Sequence, residues 1–441
     1  MVGVGIVLFT RDLRVRDNPA LAAGCRAEKV VPLFVLDDTI LAGRAATPNR
    51  AAFLAAALAE LDGELKGMGG RLVVRRGTVV DEVDKIVAQV GADVVHIAAD
   101  ASGYSRRREN ALRERLGPRG CELRVHEASV MTVAPEAVVP STGRDHFAVF
   151  TPYFRKWMDV HRRAPLPRPH TMTLPRIAAG DLPTVESICR GETSPKLAVG
   201  GETTGRKLLT EWLSGPVEDY AARSDDLVAD ATSRLSPYLH FGCLSASEVL
   251  HRTDVTGEGG SAFARQLAWR DFHHQLLAAR PAVAWKDYHD RSIRWREDPR
   301  AVEAWSEGRT GYPIVDAGMR QLRAEGWMHG RARLIAASFL TKSLRVDWRI
   351  GADHFLRWLV DADLANNQLN WQWVAGTGTD TRPNRVLNPL RQAERFDPDG
   401  VYVRRWVPEV AELAGAAAHR PWRENGGVAG YPAPMIDFVG M

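Results

Sequence analysis

Lysine, cysteine and long apolar runs are all scarce in this chain. Of its 58 basic residues only eight are lysine, so the positive charge rests almost wholly on arginine. Guanidinium forks suit phosphates and planar partners better than ammonium groups do, although an arginine excess also follows from a genome's base composition. A net charge of +4 therefore permits nucleic acid as a partner without requiring it. The four cysteines, Cys25, Cys121, Cys189 and Cys243, are scattered. With no CxxC pair and no His/Cys cluster at ligand spacing, a reduced protein without a zinc or iron-sulfur site is expected. The opening MVGVGIVLFTRDLR is apolar for too few residues to span a membrane and lacks the basic start and cleavage site of a signal peptide, so the expected location is cytoplasmic. No GxGxxG follows the first apolar run, which argues against a dinucleotide site of the usual kind. There is no internal repeat and no low-complexity tract.

What is present divides by character. At 441 residues the chain exceeds one ordinary core. Over residues 1–130, short runs rich in valine and isoleucine (GIVLF, VVPLFVL, RLVVR, DVVHIA and a weaker CELRVH) alternate with helical patterns such as RAAFLAAALAELDGELKGM. That is βαβ patterning, and it predicts an α/β domain with a five-stranded parallel, doubly wound sheet. Such sheets take ligands beyond the carboxyl ends of their strands, which points to TRDLRVRDNPAL after the first. Residues 131–200 lose periodicity and read as a proline-rich connector with a packing role. Residues 201–441 are helical almost throughout and predict an all-α domain. Twelve of the 13 tryptophans fall there, and most of them suit ordinary helix packing.

Three stretches carry chemistry. In TSRLSPYLHFG, hydroxyls at Thr232, Ser233 and Ser236 surround Arg234 just before Pro237 at a first helical turn. Hydroxyls, free N–H groups and an arginine there suit a phosphate or equally a plain cap. In DADLANNQLNWQW, Asp363, Asn367 and Asn370 recur at helical spacing with Trp371 near them. Buried amides and carboxylates need partners, which a flat ligand with polar edges would supply, and Arg333 is a candidate partner for one of the aspartates. Arginines including Arg331 and Arg385, with Trp269 and Trp373 as stacking platforms, suit a nucleic-acid backbone with an exposed base.

Taken together, TRDLRVRDNPAL, TSRLSPYLHFG, LAWRDF, EGRTGYPIVDAGMRQL, GWMHGRAR, VDWR and DADLANNQLNWQWVAGTGTD occur in order from end to end of the chain. In this the sequence resembles the DNA photolyase and cryptochrome family, most of all the class I cyclobutane pyrimidine dimer photolyases of bacteria. The resemblance implies an antenna-chromophore domain over 1–130, its second chromophore a folate or an 8-hydroxy-5-deazaflavin. It implies an FAD-binding helical domain over 201–441. Matched by motif, Tyr220, Thr232, Ser233, Arg234, Leu235 and Ser236 would contact the FAD phosphates and ribityl chain. Gln266 and Arg270 would lie near the cofactor, Arg333 would pair with Asp361, Asp363 would meet the flavin edge, and Asn367 would face N5. Trp295, Trp348 and Trp371 match the chain that carries electrons to the flavin. Trp269, Arg331, Leu334, Trp373 and Arg385 would meet damaged DNA, its dimer flipped out of the duplex. The reaction implied is light-driven splitting of pyrimidine dimers by a monomer.

The sequence departs from the family pattern at the dimer pocket. Gln266 stands where many dimer photolyases have glutamate, Gly330 where an asparagine is usual, and Leu334 where methionine is frequent. An amide can hydrogen-bond a thymine but supplies no carboxylic proton. Glutamine is also found in 6-4 photolyases, yet those carry histidines where this chain has Gly330 and Leu334. A cryptochrome-like blue-light sensor, or a flavoprotein with altered or lost repair, is the alternative.

Overall fold

The computed structural model describes residues 3–437. The chain divides into two compact units. One runs to Glu192 and then takes Val199–Glu218 and Ser233–Pro281; the other comprises Thr193–Ala198, Asp219–Thr232 and the chain from Ala282 on. These lines do not follow the changes of sequence character at residues 130 and 200, because the helical stretch beyond residue 201 contributes to both units.

The first unit is built on five strands: β1 (Val4–Phe9), β2 (Lys29–Asp37), β3 (Val73–Gly77), β4 (Val94–Ala98) and β5 (Glu122–His126). They pair in parallel in the order β3-β2-β1-β4-β5. Each expected strand is present. β1 and β4 are covered on both faces, so their sequences are continuous apolar runs, with Ile6, Leu8, Val95 and Ile97 in one core. β5 is an edge strand with alternating exposure, which explains why CELRVH reads weakly.

Crossovers run through the helices Pro19–Gly24, Pro48–Lys66, Val79–Val90 and Gly103–Leu116. The strand order reverses between β1 and β4, where Arg11 and Asp100 face each other at 3.5 Å. The rest of TRDLRVRDNPAL is largely a buried clamp. Arg14 donates to the carbonyls of Asp17 at 2.8 Å and Gly242 at 3.0 Å, and the Glu202 carboxylate accepts the Val15 N–H at 2.7 Å. Asn18 caps the first crossover helix by accepting the Leu21 N–H.

The stretch 131–200 holds an element that its sequence did not announce, the helix Phe150–Asp159. Phe150, Tyr153 and Trp157 share its inward face at helical spacing. The Trp157 indole N–H donates to Asp271 at 3.0 Å, and the same carboxylate accepts the Val133 N–H at 3.0 Å.

The second unit packs the helices Pro313–Glu325, Gly330–Ser338, Trp348–Trp358, Leu364–Ala375, Pro389–Phe396 and Val401–Trp406 around one core. Pro313 and Pro389 stand in first turns, and Gly326 ends its helix in the left-handed conformation at φ 60°, where a glycine costs least.

Candidate functional site

The helix Leu364–Ala375 and the segment before it organise the second unit's polar cluster. Asp363 is its N-cap: one carboxylate oxygen accepts the Asn366 N–H at 3.0 Å and the Asn366 side-chain amide at 2.8 Å. Asn366 therefore holds Asp363 in place, a role its sequence position did not suggest. Asp361 is buried and takes a 2.8 Å bond from Arg333, whose Nε–H donates to the Met328 carbonyl at 2.8 Å. The expected pair is thus formed.

Asp363, Asn367 and Asn370 do not act as one face. Asp363 precedes the helix. Asn367 donates both amide hydrogens inward, to the Ala352 carbonyl at 3.1 Å and Gln368 at 2.8 Å, while Asn370 is exposed and donates back to the Asn366 carbonyl. The deeply buried amides are the glutamines. Gln368 donates to the Ala284 carbonyl at 2.8 Å; Gln372 donates to the Val283 and Lys286 carbonyls at 2.7 and 3.2 Å and accepts the Tyr288 N–H at 2.7 Å. They staple the segment 283–288 to the helix, a purpose no local pattern announces.

Among the buried side-chain atoms of this unit without a hydrogen-bond partner are the second carboxylate oxygen of Asp361 and the hydroxyl of Thr232. Leaving such atoms unmet costs about 1–3 kcal/mol each. A ligand with imide and hydroxyl groups meets that need, so these residues fit the flavin and ribityl parts of FAD. Tyr220 is half-buried, and burial, then Asp225, push its phenol up to about 12, which keeps it a neutral donor.

Tryptophans run inward beside this cluster. Trp348 is 0% and Trp371 2% exposed within the unit's core, and half-buried Trp295 packs against that core from outside. Trp371 lies on Gly351 and meets Phe355 edge-on at 4.9 Å. The Trp348 indole N–H donates to Asp287 at 2.8 Å, and Arg349 both pairs with Asp287 at 2.8 Å and lies 4.7 Å over the Trp348 ring. At Trp295, the next N–H, that of Arg296, donates to the carbonyl of Arg345 at 2.7 Å, and Arg345 holds a left-handed φ of 58° that is uncommon without glycine.

Of the lesion-facing candidates in this unit, Arg385 lies 5.6 Å over the half-buried Trp373 ring, and Arg331 pairs with Asp225 at 2.5 Å and lies 4.4 Å over Phe396. Leu334 is packed against the core. Arg404 donates to the carbonyls of Asp399 and Leu413. A Cβ on Gly330 would meet nothing within 4 Å.

The first unit carries the rest. Ser233 and Arg234 are half-buried, Leu235 is buried, and Ser236 is exposed at the start of the short helix Ser236–His240; Arg234 is left-handed at φ 49°. On the helix Glu258–Ala279, Gln266 is exposed, and Trp269 and Arg270 are half-buried one turn on. Arg270 donates to the Val130 carbonyl at 2.7 Å.

The chain matches the family described as DNA photolyase over residues 5–170 and the FAD binding domain of DNA photolyase over residues 263–440. It is 57% identical to a deoxyribodipyrimidine photo-lyase of Streptomyces griseus, over 99% of this chain and 97% of that one. Among solved structures it is similar to a bacterial class III photolyase from Agrobacterium tumefaciens, with a TM-score of 0.92 at 34% identity over 99% of this chain and 95% of that one. A Synechocystis cryptochrome matches with a TM-score of 0.91 at 27% identity, over 99% and 97% of the two chains.

Proposed function

The chain belongs to the DNA photolyase family and carries that family's FAD binding domain, and from this premise we propose that it splits cyclobutane pyrimidine dimers in DNA under light. The observation that carries the reading is the Arg333–Asp361 pair, with an Asp361 oxygen left buried and without a donor beside the Asp363 cap. Reduced FAD, when bound and excited by light, supplies the electron that opens the cyclobutane ring and then takes it back.

The residues supply binding and control. Tyr220, Thr232, Ser233, Arg234, Leu235 and Ser236 hold the phosphates and ribityl chain; Arg270 and Gln266 lie near the cofactor. Arg333 holds Asp361 in orientation. Asn367, both amide hydrogens engaged, offers its carbonyl oxygen to an N–H donor, which favours the reduced, N5-protonated ring. Trp371, Trp348 and Trp295 pass electrons inward from solvent, because an indole loses and regains an electron comparatively easily. Trp269 and Trp373 each offer a ring for stacking on the extruded dimer, Leu334 contributes apolar contact, and Gln266 hydrogen-bonds a thymine edge. Arg331 and Arg385 contact phosphates. That a photolyase takes its target out of the stack is the general rule for enzymes working on bases. A folate or 8-hydroxy-5-deazaflavin antenna belongs to residues 1–130, beyond the ends of β1 and β4, and the protein acts as a monomer in the cytoplasm.

A second reading, a blue-light sensor, is favoured by the likeness to a cryptochrome, while Gln266 and Gly330 motivate a flavoprotein with altered or lost repair. One experiment separates dimer repair from both. The FAD-loaded, reduced protein is illuminated with dimer-containing single-stranded DNA, and absorbance near the thymine band is followed. Recovery is expected; its absence with reduced FAD bound leaves the sensor or a flavoprotein with altered or lost repair.

A further inference from the structure

In the first unit, Phe150 lies flat against the indole of Trp269, with ring centroids 3.8 Å apart and planes 3° from parallel. At that separation the rings are in face-to-face contact, so one face of Trp269 is covered and only the other is left to present. The centroids are closer than the roughly 4.5–7 Å usual for aromatic pairs. Here the surroundings impose that closeness. Phe150 is 5% exposed and is met edge-on by Phe272 at 5.7 Å, while the guanidinium of Arg265 lies 4.7 Å from the Phe150 ring centre. Phe272 also meets Trp269 edge-on at 5.4 Å and 89°. The indole is thus backed on one face and braced at right angles, which prevents it from tipping.

We propose that Phe150 is a positioning residue for damaged DNA: it backs Trp269 so that a single indole face stays presented to an extruded pyrimidine, and so raises the preference for dimer-containing over intact DNA. The inference rests on the reading of Trp269 as a lesion contact. A platform already held in its bound orientation loses less freedom when a base stacks on it. Intact DNA keeps its bases in the stack and engages mainly through its phosphates, so it draws no benefit from the braced indole. The stretch between the α/β sheet and the helices, assigned only packing from its sequence, thereby contributes to recognition through the helix Phe150–Asp159.

The test compares the FAD-loaded wild type with Phe150→Leu, Phe150→Tyr, Trp269→Ala and the double variant Trp269→Ala/Phe150→Leu. Dissociation constants are measured by fluorescence anisotropy on one duplex sequence with and without a thymine dimer. Phe150→Leu keeps an apolar side chain but removes the flat ring; if it does not fold, Phe150→Met gives the same comparison. Dimer affinity is expected to fall by about five- to tenfold, the scale of one lost aromatic pair, with affinity for intact DNA unchanged. Phe150→Tyr should bind as the wild type does, and Phe150→Leu should add nothing once Trp269 is alanine. Equal weakening on both DNAs, or losses that sum in the double variant, overturns the inference. If Trp269→Ala weakens dimer binding and the ring-removing variant does not, the inference fails and the reading of Trp269 stands. If Trp269→Ala itself has no effect, both fall.

Discussion

Gly351 shows how little freedom a single position retains. A Cβ built there would come within 2.2 Å of the Trp371 ring and 2.6 Å of Leu340. Gly351→Ala is expected to cost about 1–3 kcal/mol, as overpacking does, and to slow light-driven reduction of the bound flavin by displacing Trp371. Urea unfolding and blue-light reduction of the oxidised holoenzyme check the two effects. Trp348 offers a second case. An indole that gives up an electron becomes positive, and the Asp287 carboxylate at 2.8 Å favours that state, whereas Arg349 over the ring opposes it. Asp287→Asn removes the carboxylate beside the indole, leaves Arg349 with only Asp347 as its acidic partner, and should slow photoreduction about tenfold, equivalent to ~1.4 kcal/mol; Arg349→Met should not. Equal rates in Asp287→Asn and wild type would show that this bond does not tune Trp348. Neither neighbour is legible in the sequence, because Gly351 and Trp371, or Asp287 and Trp348, meet only through the fold.

At the level of elements, the helix Leu364–Ala375 was legible as a polar helix but not in how it divides its labour. An aspartate partner for Arg333 was a candidate from residue type, and the family resemblance singled out Asp361; the Asp363 cap was not expected, since the sequence placed that residue on the helix face. The helix's glutamines were not legible either, since Gln368 and Gln372 bond to backbone of the 283–288 segment, which carries no side-chain signal. Gln372→Leu removes the partners of two carbonyls and one N–H. Each such group costs about 1–3 kcal/mol when left buried and unmet. The variant is expected to be destabilised by several-fold more than an exposed Asn370→Ala, and to be cleaved faster by protease within 281–292. Similar midpoints of chemical denaturation for the two would contradict the staple. The strands of the sheet were readable for the opposite reason: burial on both faces writes itself into contiguous valine and isoleucine. The Phe150–Asp159 helix was not, being short, uncapped by a side chain and set among prolines.

For the whole molecule, buried titrating groups predict how stability follows pH. Asp316 accepts the Thr310 N–H at 2.8 Å, the Thr310 hydroxyl at 2.7 Å, the Gly311 N–H at 3.2 Å and the Tyr431 hydroxyl, yet burial outweighs these bonds and raises its carboxyl to about 6. Between about pH 4 and 6 the folded state then keeps a proton that the unfolded chain releases, so this group's contribution declines as pH rises through that window. Over two units the decline is roughly 3 kcal/mol. His96 and His354 act with the opposite sign. Burial lowers each to about 4, so their contribution is lost as pH falls from about 6.5 towards 4. The wild-type profile mixes these slopes, and Asp316→Asn separates them. Relative to wild type, the variant should gain roughly 3 kcal/mol of stability on going from pH 4 to 7; parallel curves from unfolding titrations would assign the titration elsewhere. None of this is legible from the chain alone, because a carboxyl's affinity for its proton is set by what the fold buries it among.

On the proposed electron path, the graded burial of Trp295, Trp348 and Trp371 also bears on how a lineage would shed light-driven activation if selection for it relaxed. Replacing Trp348 or Trp371 opens a cavity in the core, at about 3–5 kcal/mol for a large aromatic, and purifying selection on folding alone would resist it. Trp295, half in solvent, carries less of that protection. Erosion should therefore begin at the mouth of the path, giving descendants that keep two inner tryptophans as relics with no donor outside them. The innermost indole would be the last to drift, preserved by the fold after its purpose had gone.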